Sequence, residues 1–201
     1  MQFDPSEMSV RDVYRMMVNL ITPRPIAWVS TLSQDGVANL APFSFFNGVG
    51  ANPPTIMFCP ANRRDGSPKD TLENVRRTGE FVVNVVTEAH AEAMSLTATE
   101  CPPGDDEFEL ASVNKVASSI VQAPRVADAA AALECRLHSA IQIGVGPGGA
   151  NLVIGQIVMI YAADRLINAE GTFDAQQCDT IGRMGGDGYV RTSDRFRIPR
   201  A

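Results

Sequence analysis

Two long runs in the C-terminal half constrain this chain most. Residues 132–143 (ALECRLHSAIQI) and 151–167 (NLVIGQIVMIYAADRLI) are rich in apolar and β-branched residues, and only Gly144-Val145-Gly146-Pro147-Gly148-Gly149-Ala150 separates them. Four glycines and a proline in seven positions interrupt any regular element, because glycine carries the largest backbone entropy and proline lacks an N–H. The runs therefore read as two long strands joined by a reversal. The same glycines also satisfy G-x-G-x-x-G, the dinucleotide-binding pattern. That pattern works only when a helix follows the glycines, so that pyrophosphate meets a helix N-terminus. Here the following segment is strand-like and Pro147 lies inside the turn, so the reading is a hairpin loop and not a Rossmann site.

Comparable punctuation divides the rest of the chain. Residues 6–18 read as a short helix with Ser6 or Ser9 as cap, and Thr22-Pro23-Arg24-Pro25 then forces extended backbone. PIAWVSTLS (25–33) and VANLAPFSFF (37–46) flank Gln34-Asp35-Gly36, a hairpin signal in which glycine takes the positive φ of the turn. Residues 55–60 form a short strand between prolines. The period changes at 67–79. Ser67 is suited to cap a helix, Pro68 to its first position, Asp70 to its first turn and Gly79 to its end beyond Arg76 and Arg77. Residues 80–86 return to strand, a second helix runs from about Glu88 to Ala98 with Thr87 as cap, and 100–110 reads as a turn-rich loop. Past Thr172 no periodicity remains. With no internal repeat and no linker, the 201 residues form one domain, 1–201. The expected architecture is mainly β, about six strands in a barrel with short flanking helices.

Composition narrows the function. A net charge of −6 and a pI near 4.9 argue against general nucleic-acid binding, which recruits a basic surface. Cys59, Cys101, Cys135 and Cys178 form no CxxC pair and read as reduced thiols, and His90 and His138 lack ligand spacing, so no metal site is expected. No apolar run is long enough for a transmembrane helix, and the N-terminus lacks the apolar stretch of a signal peptide. The expectation is a cytoplasmic protein with no membrane or nucleic-acid partner.

Two segments carry candidate chemistry. Ser67-Pro68-Lys69-Asp70-Thr71 opens a helix, where unpaired N–H groups and a partial positive charge favour an anion. Lys69 is one of only two lysines among 17 basic residues. The same residues also suit an ordinary capped surface helix with a solvated lysine. The second segment, Ala41 to Val49, holds three of the nine phenylalanines. As one strand it places Phe43 and Phe45 on one face and Ser44 and Phe46 on the other. It is either core, or a wall for a flat heterocycle whose edge Ser44 and Asn47 would bond. No Ser-His-Asp or Cys-His arrangement emerges and no catalytic side chain is assigned. Hard chemistry then falls to a cofactor.

Taken in order, residues 22–58 (TPRPIAWVSTLSQDGVANLAPFSFFNGVGANPPTIMF), 69–86 (KDTLENVRRTGEFVVNVV), 86–98 (VTEAHAEAMSLTA), 102–111 (PPGDDEFELA), 123–137 (APRVADAAAALECRL) and 181–189 (IGRMGGDGY) resemble the flavin reductase-like family. The resemblance covers roughly residues 12–190 and is carried by the ordered combination. It implies a six-stranded antiparallel split β-barrel, the FMN-binding split barrel, usually a homodimer. FMN is the implied cofactor, with FAD the alternative. NADH or NADPH is the implied donor, delivering hydride to flavin N5, and a monooxygenase or redox protein is the implied partner. A flavoredoxin-like electron carrier reduced by a protein partner is the alternative activity. By position, the resemblance puts Trp28, Ser30 and Thr31 beside the isoalloxazine or ribityl chain, and Ser44, Phe45, Phe46 and Asn47 along the flavin. It puts Lys69, Asp70 and Thr71 at the phosphate end. Arg24, Arg183 and Tyr189 lie in segments that could close the pocket.

Overall fold

The computed structural model describes residues 1–102 and 104–199. Its centre is a seven-stranded antiparallel sheet. The strands are β1 (Ala27–Leu32), β2 (Ala38–Phe43), β3 (Phe46–Ala51), β4 (Pro54–Phe58) and β5 (Glu80–Val85), and two two-residue strands, β6 (Lys115–Val116) and β7 (Arg125–Val126), pair apart from it. The long β8 (Ala131–Gln142) and β9 (Asn151–Ala162) follow. The sheet order is β2-β1-β5-β8-β9-β4-β3.

That order closes the barrel. β2 and β3 are the two outermost strands, yet only Ser44 and Phe45 separate them in the chain. Three Cα–Cα steps span at most about 11 Å, so the sheet must curl until its edges meet. No ladder joins β2 to β3, and the barrel is split there. Bulges assist the curl by bending strands. In the β8–β9 ladder the register shifts twice, leaving Val158 of β9 and His138 of β8 without opposite partners, and a further shift lies between Gly48 and Gly50 of β3.

The inward residues form the main core. Ala27, Val29, Phe43, Ile56, Phe58, Phe81, Val83, Cys135 and Val153 pack together, and helix α2 (Asp70–Thr78) adds Leu72 and Val75 to the same cluster. Phe58 lies 5.2 Å from Phe43 and 5.3 Å from Phe81 between ring centroids. The opposite face of β1 and β2 is buried as well. Trp28, Ala38 and Leu40 meet Met94 of α3 (Ala91–Leu96) and Phe108 of α4 (Glu107–Leu110). Helix α1 (Val10–Leu20) precedes the barrel with Ser9 as its cap, and a terminal hairpin of β10 (Ile181–Arg183) and β11 (Tyr189–Arg191) follows it. Among the described residues no helix is long and apolar enough to cross a membrane.

Several sequence expectations are corrected. The sheet has seven strands rather than six, because the run 37–46 does not continue as one strand: the chain bends at Ser44–Phe45 and re-enters the sheet as β3. Helix α2 begins at Asp70 with Lys69 at the cap position, not at Pro68. Ser67 is diverted into a local turn, its amide and hydroxyl both donating to Asp65 Oδ1 at 2.8 and 2.6 Å. Thr87 does not cap its helix, since its hydroxyl lies 3.0 Å from His90 Nδ1. The loop 100–110 contains α4, capped by Asp106, which accepts from the Phe108 amide at 2.9 Å. The tail hairpin escaped notice because three-residue strands are too short to show a period.

Gly155 shows why an apolar strand run contains a glycine. A Cβ there would sit 2.3 Å from Cζ and 2.8 Å from Cε1 of the fully buried Phe81 ring. Gly155→Ala is expected to destabilise the fold by about 1–3 kcal/mol through overpacking. Adding Phe81→Leu should recover part of that loss. Urea denaturation of the two single variants and the double variant measures both, and additive losses would refute the contact as the cause.

Candidate functional site

Helix α2 projects its first turn toward the end of β2. Thr71 and Asn74 share the buried face of α2 with Leu72 and Val75, so the apolar contacts that dock the helix carry these polar groups inward too. They meet Thr31 and Asn39, which are cross-strand partners on β1 and β2. Asn39 Oδ1 accepts from Thr71 Oγ1 at 2.8 Å and from Thr31 Oγ1 at 3.2 Å, and Asn74 Nδ2 donates to Thr31 Oγ1 at 3.1 Å. Asn39 Nδ2 donates to Glu107 Oε1 at 2.8 Å, while the Leu40 amide donates to Glu107 Oε2 at 3.0 Å. All five side chains are buried. Burial pushes the Glu107 carboxyl above its ordinary range. The hydrogen bonds from Leu40 and Asn39 oppose the shift, and the charge of Asp70 adds to it.

Above this network lies a cavity of ≈ 100 Å³, whose lining includes Arg63, Lys69, Asp70, Thr71 and Phe43. It is smaller than the ~300–1,000 Å³ of ordinary ligand pockets, so it suits a terminal group rather than a heterocycle. Its wall holds two cations, Arg63 and Lys69, and three acids, Asp70, Glu100 and Glu107. Lys69 makes no ion pair among the described residues, and the amides of Asp70 and Thr71, at the start of a nine-residue helix, find no acceptor there. Asp70 is paired with Arg63, which lines the same cavity and offsets its negative charge there. An ammonium, two free N–H groups and a helix dipole favour an anion.

At the barrel split, Arg24 holds the Ser44–Phe45 bend. Arg24 as a residue is only 5% exposed. Nε donates to Ser44 Oγ at 3.3 Å, Nη1 to the carbonyls of Val18 and Ile21 at 2.6 Å each, and Nη2 to Met184 O at 3.0 Å. The last turn of α1 is a favourable place for a cation. Its guanidinium carbon also lies 5.9 Å from the Phe45 ring centroid. Backbone bonds tie Arg24 to Arg183 of β10 in both directions, and Arg183 stacks on Tyr189 at 4.6 Å. Phe46 and Arg24 also line a more apolar cavity of ≈ 350 Å³ with Pro23, Val85, Ile181 and Gly182.

The sequence candidates thus separate into three groups. Lys69, Asp70 and Thr71 gather at the small cavity. Ser44, Phe45, Phe46, Arg24, Arg183 and Tyr189 gather around the split, with Asn47 beside them on β3, where its side chain accepts from the Gly48 amide at 2.8 Å. Trp28, Ser30 and Thr31 are fully buried and present no surface. Trp28 Nε1 donates to Thr97 Oγ1 at 2.9 Å, and Ser30 Oγ donates to the Pro124 carbonyl while accepting from Asn84 Nδ2 at 3.1 Å. Their hydrogen bonds are spent internally. Asn39, Glu107 and Arg63 were missed by sequence reasoning. Asn39, at an inward position of an apolar strand, was the available signal.

The split barrel thus carries a small cavity with Lys69 and free helix amides beside one edge strand, and an aromatic bend at its closure. The model of the flavin reductase like domain matches residues 18–177, and the chain belongs to that family. It is similar to nitrilotriacetate monooxygenase component B of Bacillus cereus, at 34% identity and TM-score 0.93, with 98% of each chain covered. It is also similar to 2-nitrobenzoate 2-nitroreductase NbaA of Pseudomonas fluorescens, at 32% identity and TM-score 0.90, covering 100% of this chain and 96% of that one. The split-barrel-domain protein of Shewanella frigidimarina matches at 25% identity and TM-score 0.84, with both chains fully covered.

The raised Glu107 pKa fixes the sign of a pH effect. The folded state holds this proton more tightly than the unfolded state. Glu107 therefore contributes most to stability below its ordinary value of 4.5, and that contribution is lost as pH rises through the higher folded value. In Glu107→Gln the titration is absent, and one donor, the Leu40 amide or Asn39 Nδ2, loses its acceptor at a cost of about 1–3 kcal/mol. The stability gap between wild type and variant should narrow as pH rises from 4 to 8, read by urea denaturation at each pH. A gap that widens would overturn the assignment.

Proposed function

We propose that this chain is an FMN-binding NAD(P)H:flavin oxidoreductase, with a core at about residues 12–190 forming one functional domain. The observation that carries the reading is the donor set at the start of α2: Lys69 with the free amides of Asp70 and Thr71, on a chain of the flavin reductase-like family. FMN fits that set through its terminal phosphate, and FAD is the alternative. When bound, the flavin supplies hydride acceptance from NADH or NADPH. The protein's own part is binding and orientation. Lys69 and the two amides hold the phosphate, and the Thr71–Asn39–Glu107 network fixes the helix that presents them. Ser44 to Asn47 offer a hydroxyl, two rings and an amide along the flavin, with the bend held in place by Arg24. Water is excluded by Phe45 and Phe46. Similarity to a monooxygenase component supports delivery of reduced flavin to a monooxygenase partner. Exposed Val49 on β3 and Ile160 on β9 support a homodimer.

Two measurements test this reading. Anaerobic titration of the flavin-loaded protein with NADH or NADPH is expected to bleach the flavin absorbance saturably. Copurifying FMN that neither nucleotide reduces, but a redox protein does, would replace the reductase with an electron carrier. Lys69→Ala is expected to weaken FMN binding by about 1.5–3 kcal/mol and to leave riboflavin binding nearly unchanged, because riboflavin lacks the phosphate. Equal losses for the two ligands would remove Lys69 from the phosphate seat.

A further inference from the structure

A second cationic cavity, of ≈ 400 Å³, opens between α1 and the β10–β11 hairpin. Arg11, Arg15, Arg24 and Arg183 line it, and Asp187 is the one acid in its wall. Four guanidiniums face one carboxylate in a chain whose net charge is −6. Little neutralises them. Among the described residues Arg11, Arg24 and Arg183 form no salt bridge, and Arg15 reaches only its helix neighbour Asp12 at 3.8 Å. Arg24 is buried with carbonyls and a hydroxyl as its only acceptors. Burial lowers its pKa, and the charge of Arg183 works in the same direction. Arg24 has one N–H left after its four bonds and acts on an anion through its charge, Arg183 gives Nη1 to the Gly188 carbonyl at 3.1 Å, and the exposed forks of Arg11 and Arg15 are the ones placed to take phosphate oxygens in bidentate geometry.

The cavity is joined to the flavin region by shared residues. Arg24 lines it and also bonds Ser44. Tyr14, in the same wall, meets the Phe45 ring edge-on at a centroid distance of 6.4 Å. It is distinct from the Lys69 cavity, with which it shares no residue.

We infer that this arginine cavity seats the diphosphate of the nicotinamide dinucleotide, outside the flavin site and on the far side of the Ser44–Phe45 bend. The inference rests on the reductase reading for the identity of the ligand, but the seat can be tested without turnover. Arg11 and Arg15 project from an exposed helix face, so their removal leaves the core untouched.

The probe is ADP, titrated calorimetrically into wild type, an Arg11→Ala/Arg15→Ala double variant and Lys69→Ala, with adenosine as the uncharged control. ADP is expected to bind wild type and Lys69→Ala alike, to bind the double variant about ten- to a hundredfold more weakly, and to outcompete adenosine in every protein that retains the arginines. FMN affinity of the double variant, read by flavin fluorescence, should be unchanged. Undiminished ADP binding by the double variant, ADP binding lost in Lys69→Ala instead, or no ADP binding to wild type at millimolar concentration would each overturn the seat. If ADP binds as expected while neither NADH nor NADPH bleaches the flavin, the reductase reading fails and the anion seat stands.

Discussion

Two residues join the opposite edges of the sheet, and most of the molecule follows from that short tether. A seven-stranded antiparallel sheet can stay open unless something draws its margins together. Here Ser44 and Phe45 connect β2 to β3, so curling is obligatory. The edges that meet are not zipped by a ladder, because the connecting residues bend away from both strands. The result is a seam whose local side chains are not consumed by sheet pairing. Seams of this kind are natural places for a ligand, since backbone and side-chain groups stay available at the margin of a rigid scaffold.

The seam needs external support, and it gets it from a buried cation. Arg24 reaches the bend, the end of α1 and the β10–β11 hairpin with one guanidinium. Such a charge is costly to remove from water unless every proton finds an acceptor. Four hydrogen bonds and a helix C-terminus meet most of that requirement here. At the other end of β2, the carboxylate of Glu107 plays the reciprocal part, accepting from strand and side chain while pinning α4 beneath the small cavity. One strand is therefore bracketed by a buried positive and a buried negative group, each neutralised by dipoles instead of by a counter-ion. Among the described residues Lys69, Arg11 and Arg183 are left without a counter-ion.

Much of this was readable from local chemistry. The Gln34-Asp35-Gly36 turn, the Gly-rich reversal before Asn151 and the helix ending at Gly79 all depend on backbone rules that act within a few residues, and each stands in the structure. The clustering of Lys69 with Thr71 followed from helix position alone. What escaped was whatever depended on distant partners. The resemblance put Trp28 beside the flavin by position, whereas the packing of α3 and α4 against β1 buries it in the core. Ser67 looked like a cap until Asp65 competed for its hydroxyl. Asn39 and Glu107 lie 68 residues apart, so no window of sequence could join them. The break at Ser44–Phe45 has no glycine to announce it, because closure of the sheet imposes the bend.

The two irregularities in the longest ladder have a genetic reading. His138 is an extra residue on β8 and Val158 an extra residue on β9. Between them the pairing is offset by one residue, and beyond both it returns to its starting register. Deleting either residue alone would carry the offset to one end of the hairpin and turn every side chain past that point to the wrong face. Deleting both would restore the faces and lose only the bends. His138 and Val158 thus relate to each other as a frameshift and its suppressor do, and length changes in this hairpin are tolerable in compensated pairs or in the glycine loop at its tip.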